Sequence, residues 1–220
     1  MYHDKQAVKI IATLDGVVAL KSTGRVDLLF KPLGVLETLV RNVRTFVEQG
    51  VEIKAYELHL PLPVVSMGSD ISTYYFLLND GSVHAIGDND RGQLGQGNLS
   101  DYKKLVKVKN IGRIIQITER KPIAIDEKGR LWRWGSSIYW RPDLAGGNSN
   151  REPYPINTFT DGRLAFIVAN NYSAALGLNN GEVRFFLGER GGLRGTGKSS
   201  SQTDSSKYLL VPEKSLWSWK

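Results

Sequence analysis

Cysteine is absent from the 220 residues. That excludes disulfide scaffolds, thiol nucleophiles and thiolate-ligated zinc or iron–sulfur sites together. Histidine is scarce: His3, His59 and His84 lie far apart and lack the spacing of a zinc site. No apolar run approaches the roughly 20 residues of a membrane-spanning helix. The opening MYHDKQAVKI is too polar for a signal peptide. These absences predict a soluble chain, intracellular or held inside a larger particle, that is not secreted by a signal peptide.

What the chain has is basic charge, unevenly placed. The formal net charge is +7, and residues 101–133 hold ten basic side chains against four acids. That one stretch carries six of the seven net charges and leaves the rest of the chain nearly neutral. Lys103, Lys104, Lys107, Lys109, Arg113, Arg120 and Lys121 are the candidate surface for an acidic partner or nucleic acid. The alternation Leu105-Val106-Lys107-Val108-Lys109 also reads as a solvated edge strand, where lysines block sheet-to-sheet association. The solvated face is the favoured reading of the two.

Internal repetition organises the sequence. Residues 64–98, VVSMGSDISTYYFLLNDGSVHAIGDNDRGQLGQGN, give an extended run, an Asp80-Gly81 turn, a strand and a glycine-rich loop. The same grammar returns at 113–135 with a Lys128-Gly129 turn and at 164–188 with an Asn180-Gly181 turn. A weaker copy at 8–30 turns at Thr23-Gly24. The loop at 92–98 has counterparts at 142–148 and 192–197. A period near 50 built from short paired strands belongs to β-propeller blades.

The string DGSVHAIGDNDRGQLGQGN resembles the regulator of chromosome condensation repeat, with its DG turn, glycine-ended strand and GQLG loop. The resemblance is clear over 64–98, weaker over 113–148 and 164–197, and poor over 8–30. It implies a β-propeller of four-stranded blades and a range of binding roles, among them exchange-factor activity on a small GTPase, chromatin attachment and enzyme inhibition. Family rings have about seven blades, and this chain has room for about four. The family's Gly-His pair is replaced by Thr118-Glu119-Arg120-Lys121 and by Asn170-Asn171-Tyr172, so no exchange-factor residue carries over.

The expected fold is therefore all-β, a single repeat domain over 1–220 with units at 1–62, 63–110, 111–158 and 159–220. Residues 34–50 place Leu36, Leu39, Val40, Val43, Phe46 and Val47 at helical spacing before Gly50, which predicts one inserted amphipathic helix.

Motifs for catalysis are weak. Gly192–Ser199 satisfies the phosphate-loop pattern G-x-x-x-x-G-K-[ST], but the serine-rich sequence after it is a poor helix former. Asp88-Asn89-Asp90 starts like a calcium loop, yet it lacks the correctly placed glycine and closing glutamate. No catalytic residue, metal or cofactor is expected, and neither is a membrane or small-molecule substrate. Trp132 and Trp134 flank Arg133 in a strand, and one of the two tryptophans is expected to pack between sheets. Trp140 and Arg141, in a connector, and Trp217 and Trp219, in a terminal strand, are the candidate partner contacts.

The leading expectation is a non-enzymatic protein-interaction or structural module, a subunit of a larger assembly whose neighbours cover its sheet edges. The alternatives are a nucleic-acid- or chromatin-associated propeller using residues 101–133 and an exchange regulator of a small GTPase.

Overall fold

The computed structural model describes residues 6–13, 16–29, 34–48, 50–70, 72–135, 150–156, 163–169, 173–181 and 183–187. They form four antiparallel sheets in sequence order, and each opens with three strands joined as a meander. The first holds β1 (Ala7–Thr13), β2 (Gly16–Lys21) and β3 (Val26–Leu29); the second, β6 (Val64–Asp70), β7 (Thr73–Leu78) and β8 (Val83–Gly87). The third holds β10 (Ile114–Ile117), β11 (Ile123–Asp126) and β12 (Leu131–Gly135); the fourth, β14 (Leu164–Ala169), β15 (Ser173–Leu178) and β16 (Val183–Leu187). An outer strand completes the second and third sheets: β9 (Tyr102–Lys107) pairs with β8, and β13 (Asn150–Ile156) with β12.

The inserted helix is not there. Residues Gly34–Leu39 form a short 3-10 turn, and β4 (Val40–Glu48) and β5 (Val51–Leu58) form a hairpin. Gly50 lies between the two strands with φ of +77°. The hairpin joins the edge of β3, giving the strand order β1-β2-β3-β5-β4. Val40, Val43, Thr45, Phe46 and Val47 are β-branched or aromatic, and such side chains favour a paired strand over a helix. Their apparent helical spacing also fits a strand whose polar residues fall irregularly. The hairpin, and not a helix, accounts for the long spacing between Gly24 and Gly81.

Three apolar clusters hold neighbouring sheets together. Val18, Leu20, Val26 and Leu28 of the first sheet meet Met67, Tyr74, Phe76 and Leu78 of the second, with Leu36 of the 3-10 turn inserted beside them. Tyr75, Leu77, Val83 and Ala85 meet Ile114, Ile117, Trp132 and Trp134. Ile123, Ile125 and Leu131 meet Leu164, Ile167, Leu176 and Leu178. Each middle sheet is thus buried on both faces, which explains the continuous apolar run of β7.

Two clusters of buried charge stand out among the described residues. Asp27 of β3 is enclosed with Lys21 at 3.1 Å and with Arg44 of β4. Its neighbour across the ladder, Glu57, is held by Arg25 at 2.8 Å, so cations offset two facing carboxylates. In the third sheet, Asp126 accepts bonds from the backbone of Lys128 and Arg130, from Arg130 Nε at 2.7 Å and from Trp132 Nε1 at 2.8 Å. Burial pushes this carboxyl up, but the donors from Trp132 and Arg130 outweigh it, and Asp126 titrates below the usual range. Its contribution is therefore complete above the unfolded value near about 4 and is lost as pH falls through the lower folded value. Asp126→Asn should cost about 2–4 kcal/mol at neutral pH. Urea melts of both proteins at pH 7 and pH 3 should show that gap narrowing in acid. A gap of equal size at both pH values would contradict the assignment.

Candidate protein-interaction surface

One junction is repeated between successive sheets. The turn that joins the second and third strands of a sheet carries a glycine with positive φ: Gly24, Gly81, Gly129 and Gly181. The carbonyl of each of the first three accepts a bond from the first strand of the next sheet. Val64 N donates to Gly24 O at 2.9 Å, Ile114 N to Gly81 O at 2.9 Å and Leu164 N to Gly129 O at 3.3 Å. The approach is too close for a side chain. A Cβ at Gly24 would lie 2.5 Å from Pro63 Cβ, and one at Gly81 would lie 2.3 Å from Arg113 Cγ. At Gly129 it would lie 2.8 Å from Arg163 Cβ.

Every first strand also carries a β-bulge next to this bond. The ladder slips at Val8 in β1, Val65 in β6, Ile115 in β10 and Ala165 in β14, and all four residues are exposed. The residue two positions on turns back towards the preceding sheet. Met67, Ile117 and Ile167 occupy this place, and all three are buried. Gln116 adds a clamp, its side-chain amide both donating to Ile167 O at 2.8 Å and accepting from Ile167 N at 3.0 Å.

The GQLG loop fills the rim between the second and third sheets. Asn89, fully buried, donates to Asn98 O and Ser100 O and accepts from Leu94 N at 2.9 Å. Leu94 is buried at the centre of the loop, and the Gln93 carbonyl accepts Trp134 Nε1 at 2.7 Å. In the Asp88-Asn89-Asp90 string, Asn89 is thus spent on shaping the loop.

The fourth sheet departs from this scheme on one face. Val183 stands two residues after its turn glycine, where Val26, Val83 and Leu131 stand in the other sheets. Those three are 0–1% exposed, whereas Val183 is 36% exposed. On the same face Phe166 is 44% and Val168 58% exposed. Gly177 holds the ladder position of Leu20, Leu77 and Ile125, and the Phe166 ring lies over it. Nothing lies within 4 Å of a Cβ built on Gly181, and among the described residues its carbonyl receives no bond from a following strand. The face and turn that dock the next sheet three times over are here uncovered among the described residues. An exposed apolar face of this kind marks an interaction site.

The basic segment is divided by the fold. Lys104, Lys107 and Lys109 lie along or just beyond β9, exposed, while Val106 and Leu105 turn partly inward and Val108 is buried. The alternation read from the sequence is that of a solvated edge strand. Arg113 sits at the opposite side of the Gly81 turn, 3.8 Å from Glu127. Arg120 and Lys121 belong to the loop between β10 and β11, where Lys121 pairs with Asp70 at 3.2 Å. The structure therefore leaves Lys104, Lys107 and Lys109 exposed on or just beyond β9 and places Arg113, Arg120 and Lys121 in other elements. The Lys103 backbone lies in β9, and its side chain, together with Trp140, Arg141, Trp217 and Trp219, lies outside the described residues. Trp132 and Trp134 both pack inside, and Arg133 between them is buried too, with its guanidinium 5.6 Å from the Tyr154 ring centroid. His84 pairs in register with Lys107; burial, and then the Lys107 charge, lower its pKa.

Residues 80–118, from the Asp80-Gly81 turn through the GQLG loop and β9 to the end of β10, match the family model for the Regulator of chromosome condensation (RCC1) repeat. This stretch is similar to an RCC1 repeat. Three solved structures are similar to the chain throughout most of its length. Human WBSCR16 superposes with a TM-score of 0.64 at 16% identity, covering 82% of this chain and 47% of that one. Yeast RCC1 (Prp20), solved bound to Kap60, gives 0.58 at 15% identity, covering 85% and 45%. Prp20p from Saccharomyces cerevisiae, described with its binding properties to Gsp1p and histones, gives 0.55 at 19%, covering 74% and 41%. The fold is thus RCC1-like and propeller-like, and the chain spans less than half the length of each of these proteins. Among the described residues no helix is long and apolar enough to cross a membrane.

Sequence reasoning missed the uncovered face. Its signal is present once the repeated units are aligned on their turn glycines: Phe166 stands where Ser66 and Gln116 stand, and Gly177 where leucine or isoleucine stands. The sequence weighs Asn89 only within a calcium-loop pattern, whereas the buried asparagine before GQLG organises that loop.

Proposed function

We propose that the chain is a non-enzymatic protein-interaction module, an arc of about four propeller blades that works within a larger protein assembly. One observation carries this reading: the uncovered apolar face of the fourth sheet, formed by Phe166, Val168 and Val183 beside the open Gly181 turn. Each equivalent face in the chain is covered by another sheet, so a protein surface is the chemistry that fits it. The RCC1-like neighbours supply precedent for protein partners, since one was solved bound to Kap60 and another is described with binding to Gsp1p and histones.

The double variant Phe166→Asp/Val168→Asp tests this reading. Both side chains are exposed, so the thermal midpoint should stay within about 3 °C of the parent. Recovery of the proteins that co-purify with the tagged chain from its native source should fall about tenfold. Undiminished recovery with an intact fold would overturn the reading.

The nucleic-acid alternative rests on three exposed lysines, Lys104 and Lys107 of the outer edge strand and Lys109 just beyond it. Replacing all three with Ser should leave duplex nucleic-acid affinity at 150 mM salt within about twofold. A large loss accompanied by a flatter salt dependence would favour that alternative instead.

A further inference from the structure

We infer that the partner seated on the fourth sheet is a second copy of this chain, docking head to tail through its β1. The inference rests on the reading of that face as an interaction surface and names what covers it.

The chain itself shows what this kind of face accepts. In each of its three junctions the incoming element is a first strand with three features in fixed order. A backbone N–H reaches the turn glycine carbonyl, from Val64, Ile114 or Leu164. A bulge follows at the next residue. An apolar side chain two positions later, Met67, Ile117 or Ile167, is then buried against the preceding sheet.

β1 carries the same order with no described sheet in front of it. Ala7 occupies the ladder position of Val64, Ile114 and Leu164, and the bulge falls at Val8. Ile10 stands where Met67, Ile117 and Ile167 stand, yet it is 61% exposed while they are buried. Ala19 on the adjacent strand is already buried, so the contact falls on β1 itself. Among the described residues, the molecule therefore presents an unused donor strand at one end and an unused acceptor face at the other. Ala7 N–H of one copy would meet the Gly181 carbonyl of the other, and Ile10 would pack on Phe166, Val168 and Val183.

Such a contact is heterologous, and two copies close it into a ring with two identical junctions.

Light scattering of the full 220-residue chain, from micromolar to high concentration, should give twice its 24.5 kDa mass. Ile10→Asp and Val168→Asp, each on an exposed side chain, should weaken self-association about tenfold or more. Circular dichroism melts of the two variants should match the parent. Mixing them supplies the decisive arm. A mixed pair keeps one intact junction, because the Val168→Asp copy offers an unaltered β1 to the unaltered face of the Ile10→Asp copy. The mixture should associate more tightly than either variant alone.

A dimer indifferent to both variants, or a mixture no tighter than its components, would overturn the head-to-tail inference. So would a monomer at all concentrations. If that monomer still lost its native partners on Phe166→Asp/Val168→Asp, the interaction reading would stand with a different partner. If it kept them, both would fall.

Discussion

Gly24→Ala is expected to cost about 3–4 kcal/mol, and Gly181→Ala only about 1 kcal/mol, although both substitute a turn glycine of positive φ. Backbone strain is common to the two, since φ is +80° at Gly24 and +85° at Gly181. The difference lies in what the new methyl meets. At Gly24 it would press within 2.5 Å of Pro63 Cβ and 3.0 Å of the Val64 nitrogen, the atom whose bond to Gly24 O ties the second sheet to the first. Neither atom can swing aside as a flexible side-chain tip could. At Gly181 the methyl meets nothing within 4 Å. Urea unfolding of the two variants beside the parent chain measures both costs. Equal costs would mean that the two turns have the same surroundings, against the repeated junction.

The second large effect is expected at Trp134. Trp134→Ala should lose about 3–5 kcal/mol, the range for deleting a buried aromatic. The indole is buried, stands edge-on to Tyr75 with centroids 6.1 Å apart, and donates to the Gln93 carbonyl of the GQLG loop. It joins the core between the second and third sheets to the rim loop above it. Trp134→Phe keeps most of the packing and removes only the donor, for a cost nearer about 1–2 kcal/mol. Limited proteolysis distinguishes the two contributions. Both variants should be cut faster between Asn89 and Asn98, and only Trp134→Ala should also melt far earlier. Unchanged cleavage in Trp134→Phe would show that the loop does not depend on that bond.

Much of this architecture was legible because the repeat writes it locally. A turn needing positive φ selects glycine, and glycines 24, 81, 129 and 181 mark four sheets at similar spacing. The alternation of valine and lysine read at 105–109 was legible for the same reason: burial alternates from Val106 to Lys109, and so does the sequence.

What failed was the segment 34–50. Val40, Val43 and Val47 satisfy a helical period as well as any helix does, and local spacing cannot reveal that Val51–Leu58 pairs with them. The hairpin is decided by a partner strand and by the open edge of β3. Buried charge was equally invisible, because Lys21, Asp27 and Arg44 lie on three strands and meet only in the folded sheet. The basic segment misled in another way. Residues adjacent in sequence were read as one surface, but β9, the turn beside Gly81 and the loop before β11 send them to separate places. The exposed face of the fourth sheet was the hardest feature of all. Val183 is the same residue type as Val26 and Val83, and only the absence of a covering strand among the described residues makes it different.

The absence of cysteine makes the central claim directly measurable. A single Val168→Cys substitution introduces the chain's one thiol, on an exposed position in the middle of the uncovered face. Val65→Cys, at the exposed bulge of β6, provides the control. Maleimide labelling is followed for the purified dilute chain and for the assembly recovered from the native source. The Val168 thiol should react about tenfold more slowly in the assembly while the Val65 thiol keeps its rate. Equal rates at Val168 in the two states would contradict the assignment of this face as the surface through which the protein acts.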